Sequence, residues 1–236
     1  MIILIKNRVD NMNSEKLKII LDKTKSILIG IGTILLYFFV ALIGNMIFGK
    51  YYKSSNLVIA TLSQLGTYAL ILLILVIIYH KKLIIDAKNF KKEYFEVAIK
   101  NWILGLGIMI ISNIIITTFT NDISVNEAAN RELLMTYPIS NIISMVIIGP
   151  FIEEITFRLS FKKAFTKWYT FALVTSILFG LMHIADFKLL EFFFIIPYGA
   201  LGFFFAKAMY ETDNVFTSFI AHMIHNAICV VIILLF

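Results

Sequence analysis

The chain has 236 residues, of which 60% are hydrophobic, and a mean hydropathy of +0.89. A soluble domain of this length would be roughly half apolar, and here the excess falls in long runs. Seven membrane helices of about 20 residues each would use well over half of the chain, which excludes a separate soluble domain. The formal net charge of +6 comes from basic residues in short loops, so it indicates orientation in a lipid bilayer and no nucleic-acid partner.

The apolar runs predict an all-α, polytopic transmembrane helix bundle of about seven spans. They fall at residues 26–48, 57–79, 96–119, 139–161, 169–186, 190–209 and 214–236. An eighth helix has room at 121–136, but this segment is too polar to span a bilayer. Residues 1–25 predict a basic N-terminal tail or an interfacial amphipathic helix. Residues 26–236 then form a single membrane domain, with a motif-bearing core at about 139–230.

Loops rich and poor in basic residues alternate along the chain. The loop after the third run holds only one basic residue, Arg131, whereas the loop before that run holds five lysines: Lys81, Lys82, Lys88, Lys91 and Lys92. Because cytoplasmic loops carry the excess of positive charge, we expect a multi-pass protein with a cytoplasmic N-terminus. The single cysteine, Cys229, excludes an internal disulfide and a Cys-rich metal site.

The fourth apolar run contains charged residues, in the sequence GPFIEEITFR. Each charge inside a membrane helix costs about 2.5–3.5 kcal/mol on insertion scales, which makes these residues functional candidates. Glu154 and Arg158 are four residues apart with the acid first, so we expect them to pair on one helix face. Glu153 is rotated by about 100° and has no such partner, which suits a general base. The alternative is a purely structural ion-pair network.

Two later runs contain histidines at helical spacing from a possible partner. In FGLMHI, Phe179 and His183 are four residues apart, so the two rings are expected to pack together. In AHMIHN, His222 and Asn226 share a helix face and form a donor pair that suits an oxyanion site. Each histidine also has a structural alternative as a hydrogen-bonded packing residue between helices, and His222 has a further alternative as a metal ligand.

The depth of these groups in the bilayer can be compared from the helical rise. Glu153 and His222 lie roughly 14 Å from the charged ends of their runs, and His183 lies roughly 21 Å from Tyr169. Tilt can absorb this difference of about 7 Å. We therefore expect the three side chains to converge on one cavity inside the membrane.

In this order, EExxxR at 153–158, FxxxH at 179–183 and HxxxN at 222–226 resemble the motifs of the CPBP, or Abi, family. That family contains CAAX prenyl endopeptidases and bacteriocin-processing or bacteriocin-immunity proteins. The resemblance implies an intramembrane endopeptidase in which Glu153, helped by His183, activates water. It implies that His222 and Asn226 stabilise the oxyanion. It also implies supporting roles for Glu154, Arg158 and Phe179.

Two glutamates and two histidines can also hold zinc or another divalent metal, with Glu153, His183 and His222 as ligands. We favour a mechanism that requires no cofactor, because an oxyanion site also accounts for Arg158 and Asn226. The Ile-, Lys- and Asn-rich composition is typical of a low-GC bacterium, in which protein prenylation is not expected. The expected partner in the bacterial cell membrane is therefore a membrane-associated peptide or protein, such as a pheromone, bacteriocin or lipoprotein precursor.

Two other functions compete with peptidase activity. One is a non-catalytic bacteriocin self-immunity or membrane scaffold protein, which would need the fold and not the chemistry. The other, which we favour less, is a proton-coupled transporter with Glu153, His183 and His222 as its proton relay. Transporters often contain inverted repeats, and the sequence shows none.

Overall fold

The computed structural model describes the backbone of residues 2–236 and the side chains from Glu15 onwards. In this part of the chain every regular element is a helix, which confirms the predicted all-α bundle. The α-helices are α1 (Ile2–Phe48), α2 (Leu57–Lys88), α3 (Glu93–Thr120), α4 (Val125–Thr136), α5 (Pro138–Ile143), α6 (Gly149–Glu153), α7 (Trp168–Met182), α8 (Ile195–Thr212) and α9 (Val215–Leu235). Two π-helical turns, Ser144–Ile148 and Glu154–Leu159, flank α6.

The protein is polytopic, and all seven predicted runs are largely helical. Five segments are long and apolar enough to cross a membrane: Glu15–Tyr51, Leu57–Lys88, Glu93–Thr120, Leu189–Thr212 and Val215–Leu235. Helix α7 has only 15 residues, and π-helical turns interrupt the segment 138–159, so the count of seven spans stays a prediction. The polar segment at 121–136 does contain a helix, α4, but it has only 12 residues.

Helix α1 continues from Ile2 to Phe48 without a break. The predicted tail at residues 1–25 is therefore helical in its backbone from Ile2 on. The side chains of residues 1–14 lie outside the described part of the structure, so the amphipathic character of the tail and the domain boundary at residue 25 stay predictions.

The outer surface of the long helices is apolar, as a lipid environment requires. Leu35, Leu62, Ile111 and Phe119 are all exposed. Backbone groups in lipid must find partners within the protein, and a helix supplies them along its length. Asparagine or serine side chains accept hydrogen bonds from the first-turn amides of α2, α4 and α9, where a helix lacks its own acceptors.

Helix α8 lies at the centre of the bundle and packs mainly against α3 and α7. Small residues permit the close approach of these helices. A Cβ atom at Gly180 of α7 would lie 3.0 Å from the carbonyl oxygen of Ile195. The residues of the fourth run, including Ile152 and Ile155, belong to the main buried cluster. The core of the bundle therefore encloses the segment that carries both glutamates.

A polar cluster fixes the start of α9. The Asp86 side chain at the end of α2 is buried and accepts the backbone N–H of Val215 at 3.1 Å. In the turn before α9, Asp213 pairs with Lys162 at 3.0 Å and Lys82 at 3.3 Å. Burial disfavours the charged form of Asp213, but hydrogen bonds and charges from both lysines outweigh this effect and lower its pKa. These contacts of Asp86 and Asp213 set the register of α9 and, with it, the position of His222.

Candidate active site

The segment that carries Glu153 and Glu154 departs from regular α-helix because of Pro150. The Gly149 N–H donates to the carbonyl of Ser144, five residues back, and Pro150 has no N–H to donate. The carbonyl of Met145 is thereby freed, and the Asn226 amide of α9 donates to it at 2.7 Å. The Asn226 amide was predicted to stabilise an oxyanion. One of its two N–H groups instead donates to the backbone carbonyl that the proline leaves without a donor.

The predicted pair between Glu154 and Arg158 is present, with Oε1 and Nη1 3.3 Å apart, and both side chains are fully buried. Arg158 also donates from Nη2 to the carbonyl of Gly202 at 3.3 Å. Its guanidinium lies over the Phe179 ring, with Cζ 4.2 Å from the ring centroid. The pair therefore joins the fourth run to α7 and α8.

His222 lies between the two glutamates. Its Nδ1 is 2.9 Å from Oε1 of Glu154, and its Nε2 is 3.6 Å from Oε2 of Glu153. An ionised carboxylate can only accept, so Nδ1 carries a hydrogen. The ring stacks on Phe205 at 4.8 Å and meets the edge of Phe179 at 5.6 Å. Glu153, expected to have no partner, thus faces an imidazole but no cation from its own helix.

His183 lies at the end of α7 and not inside it, because that helix ends at Met182. The predicted end at residue 186 is wrong. The backbone N–H of His183 donates to the carbonyl of Gly180, and the ring Nδ1 lies 2.8 Å from the carbonyl oxygen of Phe179. The last carbonyls of a helix need such partners. A carbonyl only accepts, so Nδ1 donates and Nε2 is the free acceptor of the neutral ring.

A cavity of about 400 Å³ brings the predicted catalytic residues together: Glu153, His183, His222 and Asn226 all line it. Phe179 also lines it and packs against His183 as predicted, with ring centroids 4.4 Å apart. Glu154 and Arg158 are absent from the lining, being fully buried beside it. The arrangement thus has an inner ion pair and an outer group of side chains open to the cavity.

The cavity has further polar lining residues that the motifs did not indicate. They include Tyr37, Tyr68, Asn113, Asn126, Glu127, Asn130 and Tyr198. The polar composition of α4 and the asparagine within the apolar α3 were sequence signals that could have identified four of them. Tyrosines are common in membrane helices near either interface, so no sequence signal distinguished the three tyrosines.

Zinc binding by Glu153, His183 and His222 stays a hypothesis. Among the described residues, no group of three or more His, Cys, Asp and Glu side chains is close enough to hold a metal ion. Both nitrogens of His222 face carboxylates, and Nδ1 of His183 is bonded to a carbonyl. Because Nδ1 of both rings is bonded, a metal ion could bind these histidines only through Nε2.

The segment that contains the three motifs is similar to known proteins. Residues 135–228 match the family model described as Type II CAAX prenyl endopeptidase Rce1-like. One curated relative, the "Putative membrane peptidase YdiL" of Bacillus subtilis (strain 168), is 32% identical over 111 residues, which are 46% of this chain and 43% of the relative. The chain therefore spans less than half the length of this relative. No solved structure matches the chain. The segment that carries all three motifs is therefore similar to the Rce1-like family, in agreement with the resemblance seen in the sequence.

Proposed function

We propose that the protein is an intramembrane endopeptidase that hydrolyses a peptide bond in a membrane-associated peptide or protein. The different surroundings of two adjacent glutamates carry the proposal. Glu154 is fully buried against Arg158 and His222, whereas the Glu153 side chain is 26% exposed and lines the cavity. Of the two carboxylates, only that of Glu153 is open to a water molecule and a substrate. The family match and the name of the relative support the same activity.

In the proposed reaction Glu153 accepts a proton from water while the water oxygen attacks the peptide carbonyl carbon. His183 orients this water through Nε2. The second N–H of the Asn226 amide stabilises the oxyanion, and His222 donates from Nε2 when its ring is doubly protonated. The C–N bond then breaks and Glu153 passes the proton to the leaving nitrogen. The products are a carboxylic acid and an amine, and Glu153 regains its starting form.

The setting of this reaction follows from the loop charges and the composition. We propose that the protein lies in a bacterial cell membrane with its N-terminus in the cytoplasm, and that the reaction requires no metal. Suitable substrates are pheromone, bacteriocin or lipoprotein precursors, because each presents a peptide bond close to the bilayer. A cavity at membrane depth favours such substrates over soluble proteins.

The test uses the full chain reconstituted in liposomes with synthetic peptides that carry an apolar segment and polar ends. In water labelled with heavy oxygen, mass spectrometry should find cleaved peptides whose new carboxyl terminus contains one labelled atom. Glu153→Gln and His183→Gln should each lower the rate about 100-fold or more. Glu93→Gln and His80→Gln are matched controls, because both residues are exposed.

Cleavage that continues in both variants would exclude this mechanism. Bacteriocin immunity or another cellular function that persists in Glu153→Gln would favour the non-catalytic alternative, because that change removes the proposed base and keeps the size of the side chain. The two outcomes are separable, since the first is measured with purified protein and the second in cells.

A further inference from the structure

We infer that Tyr198 is a positioning residue that holds His183 with the face of its ring and holds α4 with its hydroxyl group. The inference rests on the proposed peptidase function, because it assigns Tyr198 two effects on that reaction: orientation of His183 and placement of the substrate beside α4. Tyr198 lies near the start of α8, at the end of the bundle where α7 stops. It lines the same cavity as Glu153.

The ring of Tyr198 covers one side of His183. The two ring centroids are 4.4 Å apart and the planes are inclined by 23°. Phe179 covers His183 from another direction, with centroids 4.4 Å apart and planes at 50°. Together with the bond from Nδ1 to the Phe179 carbonyl, these contacts fix the rotation of the imidazole. They leave Nε2 as its free nitrogen.

The hydroxyl group of Tyr198 fastens the first turn of α4. It shares a hydrogen bond with Ser124 Oγ at 3.0 Å and accepts from the Asn126 amide at 3.2 Å. Beside it, the buried Glu191 carboxylate accepts the backbone N–H of Val125 at 3.1 Å. Helix α4 is therefore attached to the α7–α8 region by three bonds at its N-terminal end, and two of them meet at one oxygen atom.

Helix α4 forms one wall of the cavity and, with 12 residues, is too short to span the membrane. Asn126, Glu127 and Asn130 on its inner face line the cavity, and Arg131 pairs with Glu127 at 2.6 Å. This wall presents amide groups, which can hydrogen-bond to a peptide backbone as both donor and acceptor. The position of α4 thus determines how a substrate lies relative to His183.

The two parts of the side chain can be tested separately. Tyr198→Phe keeps the ring and removes the hydroxyl, so α4 loosens: we expect KM to rise about fivefold, as loss of hydrogen bonds implies, and kcat to change little. Tyr198→Leu also removes the stacking surface, so we expect kcat to fall about 10- to 100-fold, the cost of a misplaced catalytic group.

Tyr210 supplies matched controls on the same helix. Its hydroxyl donates to the carbonyl of Thr166 at the opposite end of α8. Tyr210→Phe and Tyr210→Leu therefore delete the same atoms at a position outside the cavity. Both variants should keep KM and kcat close to those of the unchanged protein. If they alter the kinetics as the Tyr198 variants do, a general loss of stability explains the result and the inference fails.

Two further measurements do not depend on catalysis. Hydrogen exchange should be faster at backbone amides of 124–136 in Tyr198→Phe than in Tyr210→Phe. The nuclear magnetic resonance spectrum of isotope-labelled histidine, assigned with His183→Gln, should show a hydrogen on Nδ1 of neutral His183 that is lost or averaged in Tyr198→Leu. Unchanged exchange or an unchanged histidine signal would overturn the inference. If the unchanged protein cleaves no peptide, the proposed function fails and these two measurements still decide the roles of Tyr198.

Discussion

The Nδ1 atom of His222 in α9 lies 2.9 Å from Oε1 of Glu154, at the start of the turn that follows α6. The same carboxylate oxygen pairs with Arg158. One oxygen atom thus joins two helical segments that are far apart in the sequence. Because this contact occupies Glu154, only its neighbour Glu153 is left to face the cavity, and the two glutamates should respond differently to substitution.

We predict that Glu154→Gln destabilises the fold far more than Glu153→Gln does. The first change leaves the buried guanidinium of Arg158 without its carboxylate, and breaking a buried pair costs about 3–5 kcal/mol. The second changes a partly exposed side chain and should cost less than about 1 kcal/mol. Unfolding in mixed detergent micelles, followed by tryptophan fluorescence, measures both. Equal losses would contradict the division between an inner and an outer glutamate.

The bond from Asn226 to the carbonyl of Met145 predicts a coupling with Pro150. Asn226→Ala leaves that partly buried carbonyl unpaired, which should cost about 1–3 kcal/mol. Pro150→Ala supplies a backbone N–H at the point where the proline deletes one, so the cost of Asn226→Ala should be smaller in that background. The free energies of unfolding of the unchanged protein, the two single variants and the double variant give the coupling energy between Asn226 and Pro150.

Pro197→Ala serves as the control for this cycle. It also removes a proline from a helix, but it lies in α8 and has no link to the Met145 carbonyl. It should leave the cost of Asn226→Ala unchanged. A coupling of the same size with either proline would mean that Asn226 acts through general packing.

Gly202 should be intolerant of substitution, because a Cβ atom there would lie 2.9 Å from Arg158 Nη2 and 3.0 Å from Phe179 Cδ1. Gly202→Ala should cost about 1–3 kcal/mol, as overpacking does, and should slow peptide cleavage. Gly199→Ala on the same helix meets only the Ser176 carbonyl oxygen, at 3.6 Å, so it should be neutral or stabilise by up to about 1 kcal/mol. Thermal unfolding and cleavage rates of both variants test this difference.

Contacts within one helix were predictable from the sequence, and contacts between helices were not. The pairs Glu154–Arg158 and Phe179–His183 follow from residues four apart on one helical face, and both are present. The long apolar helices followed from hydropathy. By contrast, nothing in the sequence indicates that His222 contacts Glu154, because that contact depends on how α9 packs.

The end of α7 shows the same limit. Residues 183–196 contain no glycine or proline, so the hydropathy extended the run to residue 186. The helix ends earlier because the ring of His183 takes the place of a backbone donor at the Phe179 carbonyl. The sequence predicted a functional role for His183 and no capping role, since a cap of this kind leaves no pattern in hydropathy.

Finally, we predict that chelation of metal ions leaves peptide cleavage unchanged. A zinc ion would need His222 and His183 as neutral ligands with free nitrogens directed at one centre. Nδ1 of each ring is taken by a hydrogen bond, so only Nε2 could bind a metal, and among the described residues no three His, Cys, Asp or Glu side chains are placed to hold one. Cleavage rates in EDTA and in EDTA already saturated with zinc should agree. A loss of activity in EDTA that added zinc restores would show that these side chains rearrange around a metal.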